Sequence, residues 1–365
     1  MNDKKFQRLL IILGILVAVV IAVIIVTFGY KKDTKTKIGL IITGSIDDDG
    51  WNGVHYEGVK NACKDLDAKL LVKENVKEDK ESCEKAINDL IKEGATMIIL
   101  SSYEYPKLAK DAVQKNPDIA FYGISAEVYT KNMTSYFGRM YQARYLAGVL
   151  AGLKTENGNV GYVAAMPNVE VNRGINAFTL GVKSVNPDAS VNVIWTGTWD
   201  DKDKEIKATK DLVNNKNVDV ITCHQNQQNV VNEADRLGIY SIGYNEETKG
   251  LSDKYLTASV WDWESLYNQI IREFMQGKGN TVQRHWFGIE TGVIKLSPYS
   301  AKVTDAEKAQ IEQIKAEMLA GKNVFSGIIY DTEGKMRCNE GESISDEILL
   351  GKLDWYVDGV VMYEE

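Results

Sequence analysis

The chain has 365 residues, of which 44% are hydrophobic and 26% charged, a composition typical of a globular protein large enough for two domains. The net charge is −8 and no basic cluster follows Lys37, which argues against nucleic acid as a partner. The four cysteines lack C-x-x-C spacing, which disfavours a metal knuckle or a thioredoxin-like motif. We favour buried thiols that pack as small hydrophobic side chains, with a Cys63–Cys83 disulfide as the open alternative.

An apolar run of bilayer-spanning length lies near the amino terminus. Residues 9–28, LLIILGILVAVVIAVIIVTF, follow the basic stretch MNDKKFQR and precede Lys31 and Lys32. The run is longer than the roughly 7–15 residues of a signal-peptide core and has no clear cleavage site, so we expect an uncleaved membrane helix. Residues 1–36 are then a membrane anchor and linker. The protein is expected in the cell membrane, single-pass, with its main body extracytoplasmic.

Strand-length apolar runs alternate with helical patterns from residue 37 onwards. The first four runs are IGLII, KLLVKE, TMIIL and IAFYGI. Helical periodicity lies between them, over 54–66, 83–91 and 108–113. This alternation predicts successive βαβ units that build a parallel sheet.

A second series with the same pattern follows. Its strand-length runs are NVGYVAAM, SVNVIW, VDVITCH and IYSIGYN, and its helical patterns cover 174–185 and 206–213. Further helices are predicted over 264–278 and 306–319, and NVFSGIIY is predicted to be a terminal strand. No Gly-rich dinucleotide fingerprint accompanies either series.

These two series predict an α/β protein with two Rossmann-like lobes that face each other across a cleft. We expect residues 37–155, with about 262–287, to form lobe 1. We expect residues 156–261, with about 288–365, to form lobe 2. The stretch from about Trp261 onwards is then expected to cross between the lobes before the chain ends.

Ligands of open parallel sheets bind beyond the carboxyl ends of the strands. The predicted strand ends here are TGSIDDDGWN, SSYEY, CHQNQQN and YNEE, which are mostly polar or aromatic, as a small-ligand cleft requires. Together with tryptophans near the predicted hinge, they give the candidate ligand-binding residues: Asp47, Trp51, Asn52, Tyr103, His224, Asn245, Trp263 and Trp286.

Trp51 is the strongest of these candidates, because an indole at a helix entry can stack on a planar base. Its alternative role is to pack the helix entry onto the lobe. Asn52 and Asn245 offer the paired donor and acceptor with which Asn reads adenine, although helix capping and turn formation are commoner roles. Core or hinge packing is likewise the commoner role for Trp263 and Trp286.

The aspartates at 47–49 admit three interpretations. Nucleoside hydrolases carry a calcium-binding aspartate cluster after their first strand, but here the Pro-Gly turn and a second carboxylate cluster are missing. Helix capping explains at least one aspartate, and Asp47 is a candidate for ligand contact. No H-E-x-x-H, G-x-S-x-G, P-loop or EF-hand pattern is present, so we expect a protein that is not an enzyme and that needs no metal or cofactor.

Four segments in order resemble the basic membrane protein family of ABC-transporter substrate-binding proteins. They are DDDGWNGVHYEGV, SYFGRMYQARYLAGVLAG, NVGYVAAMPNVEVNRGINAFTLGVKSVNPDA and WFGIETGVIKLSP, and the similarity extends from Lys37 to the end. The resemblance implies a type I periplasmic-binding-protein fold, in which two α/β lobes close over a ligand by bending at a three-segment hinge.

The resemblance also implies a purine base or nucleoside as ligand and an ABC transporter permease as partner. In nucleoside-binding members an aromatic residue at the first helix entry stacks on the base, and here that residue is Trp51. Where those members carry an acid for the ribose hydroxyls, this chain has Asn245, which favours a free base or another planar ligand. The alternatives are a nucleoside-hydrolase-like enzyme and a membrane-tethered ligand sensor.

Overall fold

The computed structural model describes residues 35–48, 50–126, 128–279 and 282–363. The predicted membrane helix over 9–28 lies outside these residues. Within the described ranges, no helix combines the length and apolar character needed to cross a bilayer.

The first part of the chain alternates strands and helices as the periodicity predicts. The strands are β1 (Lys37–Ile41), β2 (Lys69–Lys73), β3 (Met97–Leu100), β4 (Ala120–Ile124) and β5 (Met133–Gly138). The helices are α1 (Trp51–Asp65), α2 (Lys80–Lys92), α3 (Tyr105–Leu108) and α4 (Lys110–Lys115). Strands β3, β4 and β5 are buried along their whole length, as expected of a parallel sheet covered on both faces.

The second series begins with a long helix, α5 (Met140–Lys154). Its other helices are α6 (Val169–Val185), α7 (Lys202–Lys216) and α8 (Asn229–Leu237). The strands are β6 (Asn159–Ala164), β7 (Ser190–Trp195), β8 (Val220–His224), β9 (Tyr240–Asn245) and β10 (Tyr255–Trp261).

The last hundred residues return to lobe 1 and then complete lobe 2. The strands are β11 (Arg284–Phe287), β12 (Ile294–Leu296), β13 (Ile329–Tyr330), β14 (Met336–Cys338) and β15 (Val360–Met362). The helices are α9 (Trp263–Met275), α10 (Asp305–Leu319) and α11 (Asp346–Gly351).

Two sheets organise the described residues into two α/β lobes. The first has the parallel strand order β2-β1-β3-β4-β5-β11. The second has the order β15-β7-β6-β8-β9-β10-β12, in which only β12 runs antiparallel to its neighbour. Because nearly all pairs are parallel, the carboxyl ends of each sheet's strands share one edge, where a ligand cleft is expected.

The chain passes from the first sheet to the second between β5 and α5. Helix α5 packs most extensively on α6 and also contacts β10 and β12, so it lies with the second sheet. The sequence placed this passage near residue 155, one helix later. The return passage is at Asp262, between β10 and α9, and the third lies between β11 and β12.

A glycine allows the three passages to approach one another. A Cβ atom on Gly138 would lie 2.4 Å from the indole of Trp261 and 2.6 Å from the Ile294 side chain. Gly138 is the last residue of β5, Trp261 is the last residue of β10, and Ile294 is the first residue of β12. The hinge is therefore packed around the space that Gly138 leaves open.

The structure tests two further expectations, one on the terminal strand and one on the cysteines. The terminal strand predicted over 323–330 is wrong in extent, because only Ile329–Tyr330 is extended and Gly327 has a positive φ of 77°. All four cysteines are buried and free, which confirms the interpretation as small core residues over a Cys63–Cys83 disulfide. Burial raises the pKa of both Cys63 and Cys83 to about 12.

Candidate ligand-binding cleft

The turn between β1 and α1 is organised by Asp48. Its Oδ1 accepts hydrogen bonds from the backbone N–H groups of Gly50, at 3.0 Å, and Gly53, at 2.8 Å. Its Oδ2 accepts from Nδ2 of Asn52 at 2.6 Å. Helix capping, predicted for at least one aspartate of the cluster, is confirmed for Asp48. Asp47 is exposed, and Asp49 lies outside the described residues.

Asn52 is buried and ties the helix to the preceding strand. Its Oδ1 accepts from the backbone N–H and the hydroxyl of Thr43, both at 3.0 Å, while its Nδ2 donates to Asp48. The side chain therefore performs the turn-forming role that was its alternative. A ligand would have to compete with these bonds for the Asn52 amide.

Trp51 is held in a fixed orientation at the entry of α1. Its Nε1 donates to the carbonyl of Ser101, just after β3, at 2.8 Å. The half-buried ring lies edge-on to His55, with ring centroids 4.3 Å apart, and to Trp263, at 5.5 Å. The structure thus brings two of the predicted site residues, Trp51 and Trp263, into one aromatic cluster.

That cluster continues to the hinge. Trp263 stacks on Trp261 with centroids 4.4 Å apart and planes 13° apart, and its ring is buried. The ring centroids of His55 and Trp263 lie 4.1 Å apart, and Nδ1 of His55 forms a hydrogen bond with the hydroxyl of Tyr267. Burial lowers the pKa of His55 to about 3, so the imidazole is neutral at physiological pH. Nε2 of His55 and Nε1 of Trp263 have no hydrogen-bond partner among the described residues.

His224 and Asn245 end the neighbouring strands β8 and β9 in lobe 2, and both are buried. Nε2 of His224 lies 3.8 Å from a carboxylate oxygen of Glu170, and the ring centroids of His224 and Tyr244 lie 4.3 Å apart. Asn245 adopts a left-handed backbone conformation with φ of 70°, and its Oδ1 has no partner among the described residues. The two predicted residues lie at one edge of the second sheet, as their positions required.

The remaining two candidates lie elsewhere. Tyr103 follows β3 and is 68% exposed, at the rim of lobe 1. Trp286 lies on β11, where the guanidinium of Arg139 stands 4.0 Å from its ring and that of Arg173 stands 5.3 Å away. Arg139 also forms a bidentate ion pair with Asp346, in which Nη1 donates to Oδ1 at 2.8 Å and Nη2 donates to Oδ2 at 2.6 Å.

The two lobes face each other closely. A Cβ atom on Gly50, immediately before Trp51, would lie 3.4 Å from Nε2 of Gln227 in the β8–α8 loop of lobe 2. Beside the hinge, a cavity of about 600 Å³ lies next to the carboxyl ends of β9 and β10. Its volume suits a small ligand. Its lining, which includes Glu246, Glu247, Val260, Trp261 and Leu296, belongs to lobe 2 and contains none of the eight predicted site residues.

Several of these residues were missed from the sequence. Glu246 and Glu247 directly follow Asn245, so the same strand-end argument could have included them. Arg144 and Arg173 occupy helices α5 and α6 and are buried; a charged residue within the mostly apolar stretch MYQARYLAGVLAG was the available signal. Glu170 lies one turn before Arg173, and burial raises its pKa while the two arginines oppose that shift.

Metal chemistry finds little support in the part of the chain that the structure describes. It contains no group of three histidine, cysteine, aspartate or glutamate side chains that could hold a metal ion. A calcium site of the hydrolase type needs such a group.

The profile of the Bmp family, described as ABC transporter substrate-binding protein PnrA-like, matches residues 35–326. The chain belongs to this family. A purine-binding protein of Brucella abortus is 32% identical over 332 residues, which cover 90% of this chain and 93% of that protein. A protein of Haloferax volcanii, named for glucose binding in ABC transport, is 33% identical over 71% of this chain and 63% of its own length.

Solved structures show the same fold. A transcriptional activator of the comK gene from Bacillus halodurans superposes with a TM-score of 0.71 at 24% identity, covering 79% of this chain and 99% of that one. A solute-binding protein of an ABC transporter system from Conexibacter woesei superposes with a TM-score of 0.65 at 19% identity, covering 80% of this chain and 100% of that one. The predicted α/β fold of the type I periplasmic-binding kind is confirmed. Because the family is one of substrate-binding proteins, the expectation that the chain is not an enzyme is confirmed too.

Proposed function

We propose that this member of the family captures a purine base or purine nucleoside between its lobes and delivers it to an ABC transporter permease. Binding and lobe closure make up the mechanism, with no covalent step. Closure by hinge bending brings the β1–α1 turn of lobe 1 onto the strand ends of lobe 2.

The observation that carries this proposal is the placement of Trp51. Its indole is anchored to Ser101 at the carboxyl edge of the first sheet, and the preceding residue, Gly50, lies close to Gln227 in the β8–α8 loop of the second. A half-buried aromatic ring at such a cleft suits a planar ligand, because base–aromatic stacking contributes about 1–3 kcal/mol. Oδ1 of Asn245, at the opposing edge, has no partner within the described part of the chain and can accept a hydrogen bond from the ligand.

The comparisons leave two ligand chemistries to separate. The relative from Brucella abortus is named for purine binding, whereas that from Haloferax volcanii is named for glucose binding. The purine-binding relative is matched along nearly the full length of both chains, so we favour a purine. The carboxylates of Glu246 and Glu247 beside the hinge are suitable acceptors for ribose hydroxyls, which keeps nucleosides in the proposal.

A thermal-shift screen of the full-length chain tests the ligand class. The panel contains adenine, guanine, hypoxanthine and their nucleosides, with glucose, other sugars and amino acids as controls. Ligand at about 100 times its dissociation constant should add about 2.7 kcal/mol of stability. We expect stabilisation by at least one purine and none by glucose. Stabilisation by sugars or amino acids alone would refute the purine proposal and leave the family assignment intact.

We further propose that residues 9–28 hold the protein in the cell membrane with its body extracytoplasmic. The apolar run and its basic flanks support this arrangement. Protease added to intact cells should digest the body after cell-wall removal, while a cytoplasmic control protein stays intact. Full protection of the body, or its release into the soluble fraction, would refute the anchor.

A ligand sensor remains the second candidate. A transcriptional activator of Bacillus subtilis is 26% identical over 78% of this chain, which supports considering this role. Purine uptake by cells lacking the protein separates the candidates. A transporter component is needed for uptake at low purine concentration, whereas a sensor alters gene expression and leaves the initial uptake rate unchanged.

A further inference from the structure

The last part of the chain runs along α6 of lobe 2 and is held there by polar side chains. Nδ2 of Asn172 donates to the carbonyl of Leu353 at 3.1 Å. One turn later, Nδ2 of Asn176 donates to the carbonyl of Trp355 at 2.9 Å. Both asparagines are buried. We call residues 345–358 the strap, and because buried side chains of α6 hold it, the strap moves with lobe 2.

At its beginning, the strap reaches the first passage between the lobes. Asp346, the first residue of α11, forms the bidentate ion pair with Arg139, which lies between β5 and α5. The exposed fraction is 23% for the Arg139 side chain and 50% for that of Asp346, so water screens the pair only in part. Two parallel hydrogen bonds also fix the orientation of the guanidinium plane.

Arg139 is attached to lobe 1 in two ways. Its backbone N–H donates to the carbonyl of Phe287, the last residue of β11, at 2.6 Å. Its guanidinium lies 4.0 Å from the centroid of the Trp286 ring, a distance at which a cation is attracted to an indole face. Trp286 itself is paired with Phe137 of β5 in the first sheet. The ion pair therefore joins the strap, on lobe 2, to the edge strand of lobe 1.

The ion pair is formed in an arrangement in which the lobes approach each other. At the rim of the cleft, a Cβ atom on Gly50 of lobe 1 would lie 3.4 Å from Nε2 of Gln227 of lobe 2. Hinge bending that opens the cleft moves Asp346 with lobe 2 and Trp286 with lobe 1. Opening must therefore stretch the ion pair or pull the guanidinium away from the indole.

We propose that Asp346 and Arg139 form a latch that favours the closed arrangement of the lobes. Asp346 is then a positioning residue for ligand capture, because it acts through the hinge and touches no ligand. The latch rests on the lobe closure of the proposed function and does not depend on which ligand the cleft takes.

The latch changes affinity through the population of the closed form. A ligand that binds the closed form has an apparent dissociation constant that rises as this form becomes rarer in the free protein. Partly exposed ion pairs make a modest contribution. Loss of the latch should therefore raise the apparent dissociation constant about two- to fivefold.

A distance between the lobes, measured without ligand, tests the latch directly. Lys77→Cys and Lys202→Cys place spin labels at exposed positions of lobe 1 and lobe 2 in the full-length chain, whereas the four native cysteines are buried. Double electron–electron resonance gives the distribution of distances. We expect Asp346→Asn to shift it to longer distances and Asp346→Glu, which keeps the carboxylate, to restore shorter ones. An unchanged distribution in a folded Asp346→Asn protein would overturn the proposal.

Glu347 provides the matched control. It follows Asp346 in α11, carries the same charge and pairs with Lys352 within the strap at 2.5 Å. Glu347→Gln should leave the distribution of distances unchanged. A similar shift in Glu347→Gln and Asp346→Asn would assign the effect to the stability of α11 and would refute the latch.

Salt tests the latch without a change at Asp346. At about 1 M salt the Debye length is about 3 Å, so the attraction in a partly exposed ion pair is weakened. The distances in the labelled protein should then lengthen towards those of Asp346→Asn, while the variant itself should respond little. An equal response of both proteins would contradict the latch. Because no ligand is present, these measurements decide the latch even if no purine binds.

Discussion

Trp51 is oriented before any ligand arrives, because the Ser101 carbonyl fixes its indole nitrogen. Replacing Trp51 by Ala should weaken purine binding about tenfold or more, as loss of one stacked base implies. Trp51→Phe retains a ring but loses the Ser101 bond, so an intermediate affinity is expected. Calorimetry gives the affinities and circular dichroism verifies the fold. Unchanged affinity in a folded Trp51→Ala protein would refute the stacking role.

Asp48 and Asp47 form a matched pair for testing the turn. Asp48 accepts three hydrogen bonds from the helix entry, whereas Asp47 is exposed. Asp48→Ala should lower the free energy of unfolding by about 0.5–2 kcal/mol, the cost of losing a helix cap. Asp47→Ala should change it by less than about 0.5 kcal/mol. Urea denaturation measures both, and equal effects would contradict the assignment of the cap to Asp48.

At the residue scale, the sequence predicted which strand ends carry polar groups but not how each group is used. Asn52 was a candidate for the ligand, yet its amide bonds Thr43 and Asp48, because a short turn offers it closer partners. Arg144 was missed because its partners lie on β6, β8 and β9, far along the chain. Periodicity reports which face of a helix is apolar and cannot show such long-range partners.

At the scale of the elements, the hinge depends on the missing side chain of Gly138. A methyl group there would overlap Trp261 and Ile294, and overpacking of this kind costs about 1–3 kcal/mol. We therefore expect Gly138→Ala to lower the free energy of unfolding by that amount. Gly351→Ala, where a Cβ would meet nothing within 4 Å, is the control and should be neutral or slightly stabilising. Equal stability of the two variants would contradict the close hinge packing.

The alternation of strands and helices was readable because each element has a strong local pattern. The lobe to which α5 belongs could not be read from the sequence. Nearly all of its surface is buried, and a helix that is apolar on every side has no pattern that identifies the elements it packs against. The end of the chain also differs from expectation. Val360–Met362 extends the second sheet beside β7, a pairing between residues about 170 positions apart that local patterns cannot reveal.

At the scale of the whole molecule, stability should depend on the three histidines. Burial lowers the pKa of His55 to about 3 and also lowers the pKa values of His224 and His285. The unfolded chain then binds more protons than the folded protein once the pH falls below about 6.5. Stability is therefore present above that pH and is lost as the pH falls towards the folded pKa values.

We expect the free energy of unfolding to decrease between pH 7 and pH 5, with a slope of up to about 1.4 kcal/mol per pH unit for each titrating histidine. Urea denaturation at a series of pH values measures it. Carboxylates with lowered pKa values, such as Asp79 and Glu307, lose their contribution below this window. Within it, burial raises the pKa of Glu205 to about 7 and also raises that of Glu170, so these two groups oppose the three histidines and reduce the net slope. A free energy that is constant from pH 7 to pH 5 would contradict the buried, neutral histidines.

The central claim is that a purine lies between the two lobes and stacks on Trp51. The most direct measurement is a crystal structure of the full-length chain with the most stabilising purine of the screen. We expect the base against the Trp51 ring, with its edge towards His224 and Asn245 and the Gly50 turn close to the β8–α8 loop. A purine bound outside the cleft, or bound within it without contacting Trp51, would contradict the account.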